Sequence, residues 1–301
     1  KHKPWDLELD DLYQMSSFDI TRFFHINRAK AELIASGLKS NRLLEDELEL
    51  IERYSIDLVT LYSNNYPALL KEIHSPPTVL YWQGVQPADH THCVAIIGSR
   101  KTNFYGISAV EYFAPALVAA GYTIVSGGAL GADTAAHQVT IDSGGKTIVV
   151  LGSGLLCPYP STNKPLFNEV ITHGGTLLSP FPLRTPPATT TFPARNRIIS
   201  GLSRGCLVIQ AGSSSGTHIT ARYALEQGRE LFAVPGPFDD PLCSGCHSLI
   251  QQGAKLVTSV DAMLSELDPA GNVSVQQLAL PTTPQPKSFK ASGIQAEIIR
   301  S

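Results

Sequence analysis

The 301-residue chain has no apolar run approaching the roughly 18 residues that cross a membrane as a helix. No membrane partner is therefore expected. No internal repeat of solenoid period is present, which excludes a stacked-repeat architecture. Cysteines are few and odd in number, five spread over the whole length. That pattern argues against a disulfide framework and for reduced thiols. The opening stretch KHKPWDLELDDL is charged and lacks the apolar centre of a secretory leader. The expected location is cytoplasmic. A strong charge of either sign is missing too, since the net value is −3. Finally, no Gly-rich loop is followed by the Lys-Ser/Thr pair of a Walker A phosphate loop.

The charge that is present is unevenly placed. Residues 1–75 carry 13 acidic and 9 basic side chains, net −4, which leaves 13 acidic and 14 basic for residues 76–301, net +1. Between Arg184 and Arg222 there are five arginines and no acid. A local basic patch attracts phosphates whatever the global sign.

Residues 1–75 show weak helical spacing, with KAELIASG and LLEDELELIERY as the clearest segments. They are assigned to a small helical (SAM-like) accessory domain. A Pro76-Pro77 boundary and an edge strand near 78–82 follow. Residues 76–267 alternate apolar strands and helices. The strands are placed at 94–98, 123–127, 147–152, 176–181, 206–211 and 231–236, with helices at 107–120, 134–143, 165–173, 195–202 and 219–227. Near-continuous apolar strands separated by helices predict an α/β fold: a Rossmann-like parallel sheet with helices on both faces. Residues 268–301, rich in Pro, Thr, Ser and Gln, read as a linker and truncated tail.

Several segments carry candidate chemistry. Gly98-Ser99-Arg100 ends the first core strand and reads either as a phosphate cradle or as a tight strand–helix turn with a capping serine. Ser126 and Gly127 end the next strand at the same sheet edge, where ligands bind in open α/β sheets. Asp133 and His137 lie four residues apart, as an acid–base pair or as a helix cap beside a packed histidine. FPARNR (192–197) places Arg195, Asn196 and Arg197 at an expected helix start, with Phe192 available to stack on a base. GSSSGT (212–217) offers Ser215, Gly216 and Thr217 as a hydroxyl-rich loop. CSGCH (243–247) matches the haem-attachment spacing, and without further ligands it reads as a coincidence in a loop. Lys255 is a further cation in QQGAKLV.

The ordered series VAIIGSR, VSGGALGADTAAH, VVLGSG, FPARNRIISGLS, SGTHITARYALEQGRELFAVPG and GCHSLIQQGAKLVTS resembles the DNA processing protein A family (DprA, also called Smf) over about residues 78–265. The resemblance implies a dimeric, non-catalytic, cofactor-free binder of single-stranded DNA that helps load the RecA recombinase in natural transformation or recombination. It implies DNA contacts at Gly98, Ser99, Arg100, Ser126, Gly127, Arg195, Asn196 and Arg197. It extends to Lys164, Phe192, Ser215, Gly216, Thr217 and Lys255. Leu130, Ala194 and Ser214 stand where members often carry Arg. Gln210 stands for a usual Glu, and His247 for a usual Asn. Two other classes stay open: a Rossmann-like sensor or hydrolase of a nucleotide derivative, and a scaffold binding protein partners through its helical segment and tail. An open basic groove favours a strand, whereas a closed pocket with a converging carboxylate favours a nucleotide.

Overall fold

The computed structural model describes residues 9–90 and 92–268. The 269–301 segment, read from sequence as linker and tail, lies outside the described residues. Four helices come first: α1 (Leu9–Gln14), α2 (Ser17–Phe24), α3 (Arg28–Leu38) and α4 (Arg42–Arg53). Ser16 and Asp19 form a reciprocal capping box at α2, and Asn27 caps α3. Ile20 and Ala31 are buried in this segment. Leu50 of α4 belongs to a different cluster, packed with Val149, Phe167 and Leu177 of the sheet layer.

The remaining chain builds one nine-stranded sheet. Its strands are β1 (Asp57–Thr60), β2 (Val79–Gly84), β3 (Cys93–Ile97), β4 (Thr123–Ser126), β5 (Thr147–Val150), β6 (Thr176–Ser179), β7 (Gly205–Val208), β8 (Glu230–Ala233) and β9 (Lys255–Leu256). Their order is β1-β2-β6-β5-β4-β3-β7-β8-β9. From β6 to β9 every pairing is parallel. All residues of β3, β4, β5, β6 and β7 are buried, as a sheet covered on both faces requires.

Helices α6 (Phe104–Ala119), α7 (Ala132–Asp142), α8 (Lys164–Thr172) and α12 (Val260–Leu267) cover one face. The short α5 (Ala68–Lys71), with α9 (Thr191–Gly201), α10 (Thr217–Glu226) and α11 (Ser244–Gln251), covers the other. Alternation along β3 divides the core: Val94 and Ile96 meet Phe113 and Leu117, while Ala95 and Ile97 face the layer that holds Ile198 and Ala221.

The sheet is mixed at one end, where sequence reasoning expects only an edge strand. β2 is antiparallel to β6 and is not the edge; β1 pairs antiparallel to it outside. β1 and α5 fall within residues 1–75, yet Val59 and Leu70 pack in the main core. Four elements were not read from the sequence as such: β1, β9, α11 and α12. The CSGCH segment is therefore no loop. It opens α11, with Cys246 buried beneath β7 and His247 Nε2 3.1 Å from the Gly236 carbonyl.

Candidate functional site

Strand order reverses about β3. The chain moves outward through β4, β5 and β6, then returns to β7 on the other side of β3. A crevice opens outside the carboxyl ends at such a switch point. Three loops meet there. The Ser99 amide donates to the Gln210 carbonyl at 2.7 Å, and the Ala132 amide donates to the Ser99 carbonyl at 3.1 Å. Gly98 has to be glycine for this closure: a Cβ there would lie 2.6 Å from the Ala132 Cβ. Gln210, fully buried, stitches the turn into α6. Its Oε1 accepts from Thr102 Oγ1 (2.7 Å) and the Asn103 amide (3.2 Å), and its Nε2 donates to Asn103 Oδ1 (2.9 Å).

The groove above these loops measures about 620 Å³ and is open to solvent. Gly98, Ser99 and Arg100 form one wall, Ser215, Gly216 and Thr217 another, and Phe192, Arg195 and Asn196 of α9 a third. Nine of the residues that the resemblance implies as DNA contacts thus come together. Lys101, Ser214 and Leu242 also line it. Among the described residues, neither Arg100 nor Lys101 has an ion-pair partner. The Arg100 guanidinium carbon sits 5.4 Å from the centre of the Phe192 ring, a cation–π arrangement that holds a solvated charge over an aromatic wall. The α10 N-terminus faces the groove. Its Gly216 N-cap makes no side-chain bond, and the Ser215 hydroxyl accepts from the Thr217 amide at 3.2 Å. The amides of Ser215, Thr217, His218 and Ile219 are all bonded within the loop, so the helix start offers an anion its dipole and the loop hydroxyls.

Arg195 does not play the part that its position in the motif predicts. The helix begins at Thr191, not at Arg195, so this side chain lies in the second turn and is 4% exposed. Its Nη1 donates to the carbonyls of Gly127 and Val150 at the ends of β4 and β5. Burial lowers its pKa to about 10, with Asp133 opposing and Arg100 adding to the shift. Asp133 is buried beside it; desolvation raises its pKa, and Arg195 is the first of the groups that pull it back. The Asp133 carboxylate accepts from the amides of Gly127 (3.2 Å) and Ala129 (3.3 Å). The carboxylate is thus committed to the chain's own loop, while the residue borders the groove floor. No Asp133–His137 dyad forms: His137 Nδ1 is 2.7 Å from Thr147 Oγ1, and burial drives the ring's pKa down to about 3.

Other assignments also move. Ser126 is fully buried, its hydroxyl donating to the Ile96 carbonyl at 2.6 Å. Gly127 stays out of the main groove and borders a small cleft of about 50 Å³ with Arg100, Leu130, Tyr159 and Phe192. Arg197 lies on the opposite side of α9. Helical periodicity turns Phe192, Asn196 and Ile199 to the groove, while Ala194 and Arg197 line a second hollow with Pro77 and Phe181. There Arg197 donates to the Ser75 carbonyl. Lys255 sits near the amino end of the parallel strands, ion-paired to Glu230 (2.8 Å) and to Glu266. Lys164 is exposed at the start of α8. Its neighbour Asn163 donates to the Gly128 carbonyl at 3.0 Å, which places Lys164 beside the β4 loop but outside the groove lining. Among the described residues, no cluster of three His, Cys, Asp or Glu has metal-binding geometry.

A doubly wound α/β sheet with a groove at its switch point defines the class of Rossmann-like folds that bind ligands at the sheet edge. Within that class, the family described as DNA recombination-mediator protein A matches residues 57–268, and the chain belongs to it. Protein Smf of Escherichia coli is 42% identical over 224 residues, covering 74% of this chain and 60% of that protein. DNA processing protein DprA of Bacillus subtilis is 42% identical over 219 residues, or 72% of this chain and 73% of that one. The structure of DprA from Streptococcus pneumoniae superposes with a TM-score of 0.74 at 37% identity, covering 84% of this chain and 87% of its own. DNA processing protein A from Helicobacter pylori, whose structure is described for its single-stranded DNA binding mode, superposes at 0.63 with 28% identity, over 70% and 95%.

Proposed function

We propose that this chain binds single-stranded DNA through the switch-point groove and acts as a recombination mediator. The observation that carries the reading is the groove itself: open, walled by loop backbone and hydroxyls, with Arg100 and Lys101 uncompensated and Phe192 beside them. Phosphates meet loop hydroxyls, the helix start and two cations; bases meet an aromatic wall. Such contacts hold a strand without reading its sequence. Arg195 supplies charge from beneath and holds the floor in place. The site residues are Gly98, Ser99, Arg100, Phe192, Asn196, Ser215, Gly216 and Thr217, with Lys101 added and Lys164 on the approach.

The nucleotide sensor or hydrolase is disfavoured because Asp133, the one carboxylate at the site among the described residues, is committed to two backbone amides. We read the chain as a binder, not a catalyst. Family membership supports RecA recombinase as the partner that receives the strand, a homodimer as the working unit and the cytoplasm as its location. The test is competition. A labelled oligothymidylate bound to the protein is challenged with unlabelled strand and with mononucleotide. The strand displaces it at far lower concentration; equal potency of the mononucleotide contradicts the proposal.

A further inference from the structure

Two phenyl rings have no role in the core. Phe238 is 92% exposed and Phe104 is 85% exposed, the highest values of any large hydrophobic residue among those described. Both stand at the carboxyl edge of the sheet, on the β8 side of the groove. Phe104 is the first residue of α6, and Phe238 lies in the loop after β8. The two segments are tied together. Asn103 Nδ2 donates to Asp240 Oδ2 at 3.1 Å, and the Tyr105 hydroxyl donates to the Pro235 carbonyl. The loop is braced further by the Leu242 amide, which donates to Asp240 Oδ1 at 2.8 Å. Each ring is thus presented from backbone that is fixed on both sides.

The rings also adjoin the groove. Lys101, three residues before Phe104, and Leu242, four after Phe238, both line it. A strand leaving the groove past Lys101 therefore meets these rings next. The charges nearby decide what they can hold. Asp239 is exposed and Asp240 is half-buried, so the loop repels phosphate and offers only the faces of the rings. An exposed phenyl face accepts any nucleobase by stacking and needs no counter-charge.

We propose that Phe104 and Phe238 form a base-stacking platform that extends the single-strand path beyond the groove on its β8 side. The inference rests on the proposed DNA-binding function and adds a second contact zone of different chemistry. Phosphates are held at the groove and bases at the platform. The platform engages only strands long enough to fill the groove and continue past it.

The experiment measures affinity of wild type, Phe104→Leu, Phe238→Leu and Phe104→Trp for oligothymidylates of about 6 and about 20 nucleotides, lengths spanning the site sizes of single-strand grooves. Each is measured at several salt concentrations, with melting temperature and sedimentation as controls. Leucine keeps an apolar side chain and removes the π-face; tryptophan keeps the face. Each leucine variant is expected to lose about fivefold or more in affinity for the longer strand, the low end of base–aromatic stacking. The short strand is unaffected, Phe104→Trp matches wild type, and the salt slope is unchanged because no phosphate contact is lost. Wild-type affinity for the longer strand in both leucine variants overturns the platform while leaving the groove intact. A loss accompanied by a changed sedimentation coefficient assigns the rings to contact with a second copy and also overturns it. Failure of wild type to bind either strand overturns the DNA-binding reading instead.

Discussion

Gly127 and Arg195 fit together as a missing side chain and the group that fills its place: a Cβ on Gly127 would lie 2.5 Å from the Arg195 guanidinium. That guanidinium bonds the carbonyls of Gly127 and Val150, and Asp133 bonds the Gly127 amide from below. The end of β4 is thereby held on both sides, by the Arg195 guanidinium and by the Asp133 carboxyl, which lie near each other without a direct salt bridge.

Arg195→Ala removes the donor to two buried carbonyls, those of Gly127 and Val150, and the positive charge nearest Asp133. Leaving buried acceptors unsatisfied costs about 1–3 kcal/mol each. The expected outcome is a large fall in melting temperature or in denaturant midpoint. Gly127→Ala forces the guanidinium aside and is expected to cost about 1–3 kcal/mol by overpacking. Denaturation with unchanged midpoints in both variants contradicts a supporting role for Arg195.

Arg100→Ala behaves differently. Its head group is solvated and rests only on the Phe192 ring. Stability is expected to stay within about 0.5 kcal/mol, as for ordinary surface changes. The slope of log affinity against log salt for a single strand should fall by about 0.7, one phosphate contact. Arg197→Ala, on the far side of α9, should leave that slope unchanged. Titrations at four or five salt concentrations separate the two arginines.

Leu130→Arg should strengthen binding. Leu130 is 49% exposed and borders the cleft that contains Arg100, Tyr159 and Phe192. An arginine there keeps its charge in solvent and adds a phosphate contact, so affinity rises and the salt slope steepens. A stable variant with unaltered affinity at low salt shows that the strand does not pass over the β4 loop.

Acid sensitivity follows from two buried histidines. Burial lowers the pKa of His90 to about 4 and of His137 to about 3. The unfolded chain, with histidines near 6.5, binds these protons first. Their contribution to stability is therefore fully present above pH ~6.5 and is lost as pH falls toward the folded values. Each histidine costs up to about 1.4 kcal/mol per pH unit across that window. Asp133, raised by burial, acts in the opposite sense. Melting temperature measured from pH 7 to 4.5 is expected to fall. Replacing His137 with Asn should flatten the decline, and a decline of unchanged steepness removes His137 from the account.

The sheet was legible because its strands are short, almost wholly apolar runs separated by helical segments, and all six core strands read from the sequence form. β1 was missed because DLVT is only half-buried at the sheet edge and follows a charged helix without a turn signal. β9 is two residues long and carries no pattern. α11 was hidden by its cysteines, which suggest metal chemistry but serve as small buried side chains. At the site, loops that follow strands were placed well, since the topology alone brings Gly98–Arg100 and Ser215–Thr217 to one edge. The α9 motif was not resolved. A start placed four residues late turned Arg195 outward and Arg197 toward the ligand, and the true period reverses both. Lys255 looked available only because its partners Glu230 and Glu266 are distant in sequence.

The central claim, that the groove grips a flexible strand by its backbone, is tested most directly by one comparison. Affinity for an oligothymidylate is measured beside that for a duplex of equal length and beside a mixed-sequence single strand, at matched salt. Tighter binding of both single strands, nearly equal to each other and weakening steadily with salt, is the predicted result. Equal or tighter binding of the duplex contradicts it.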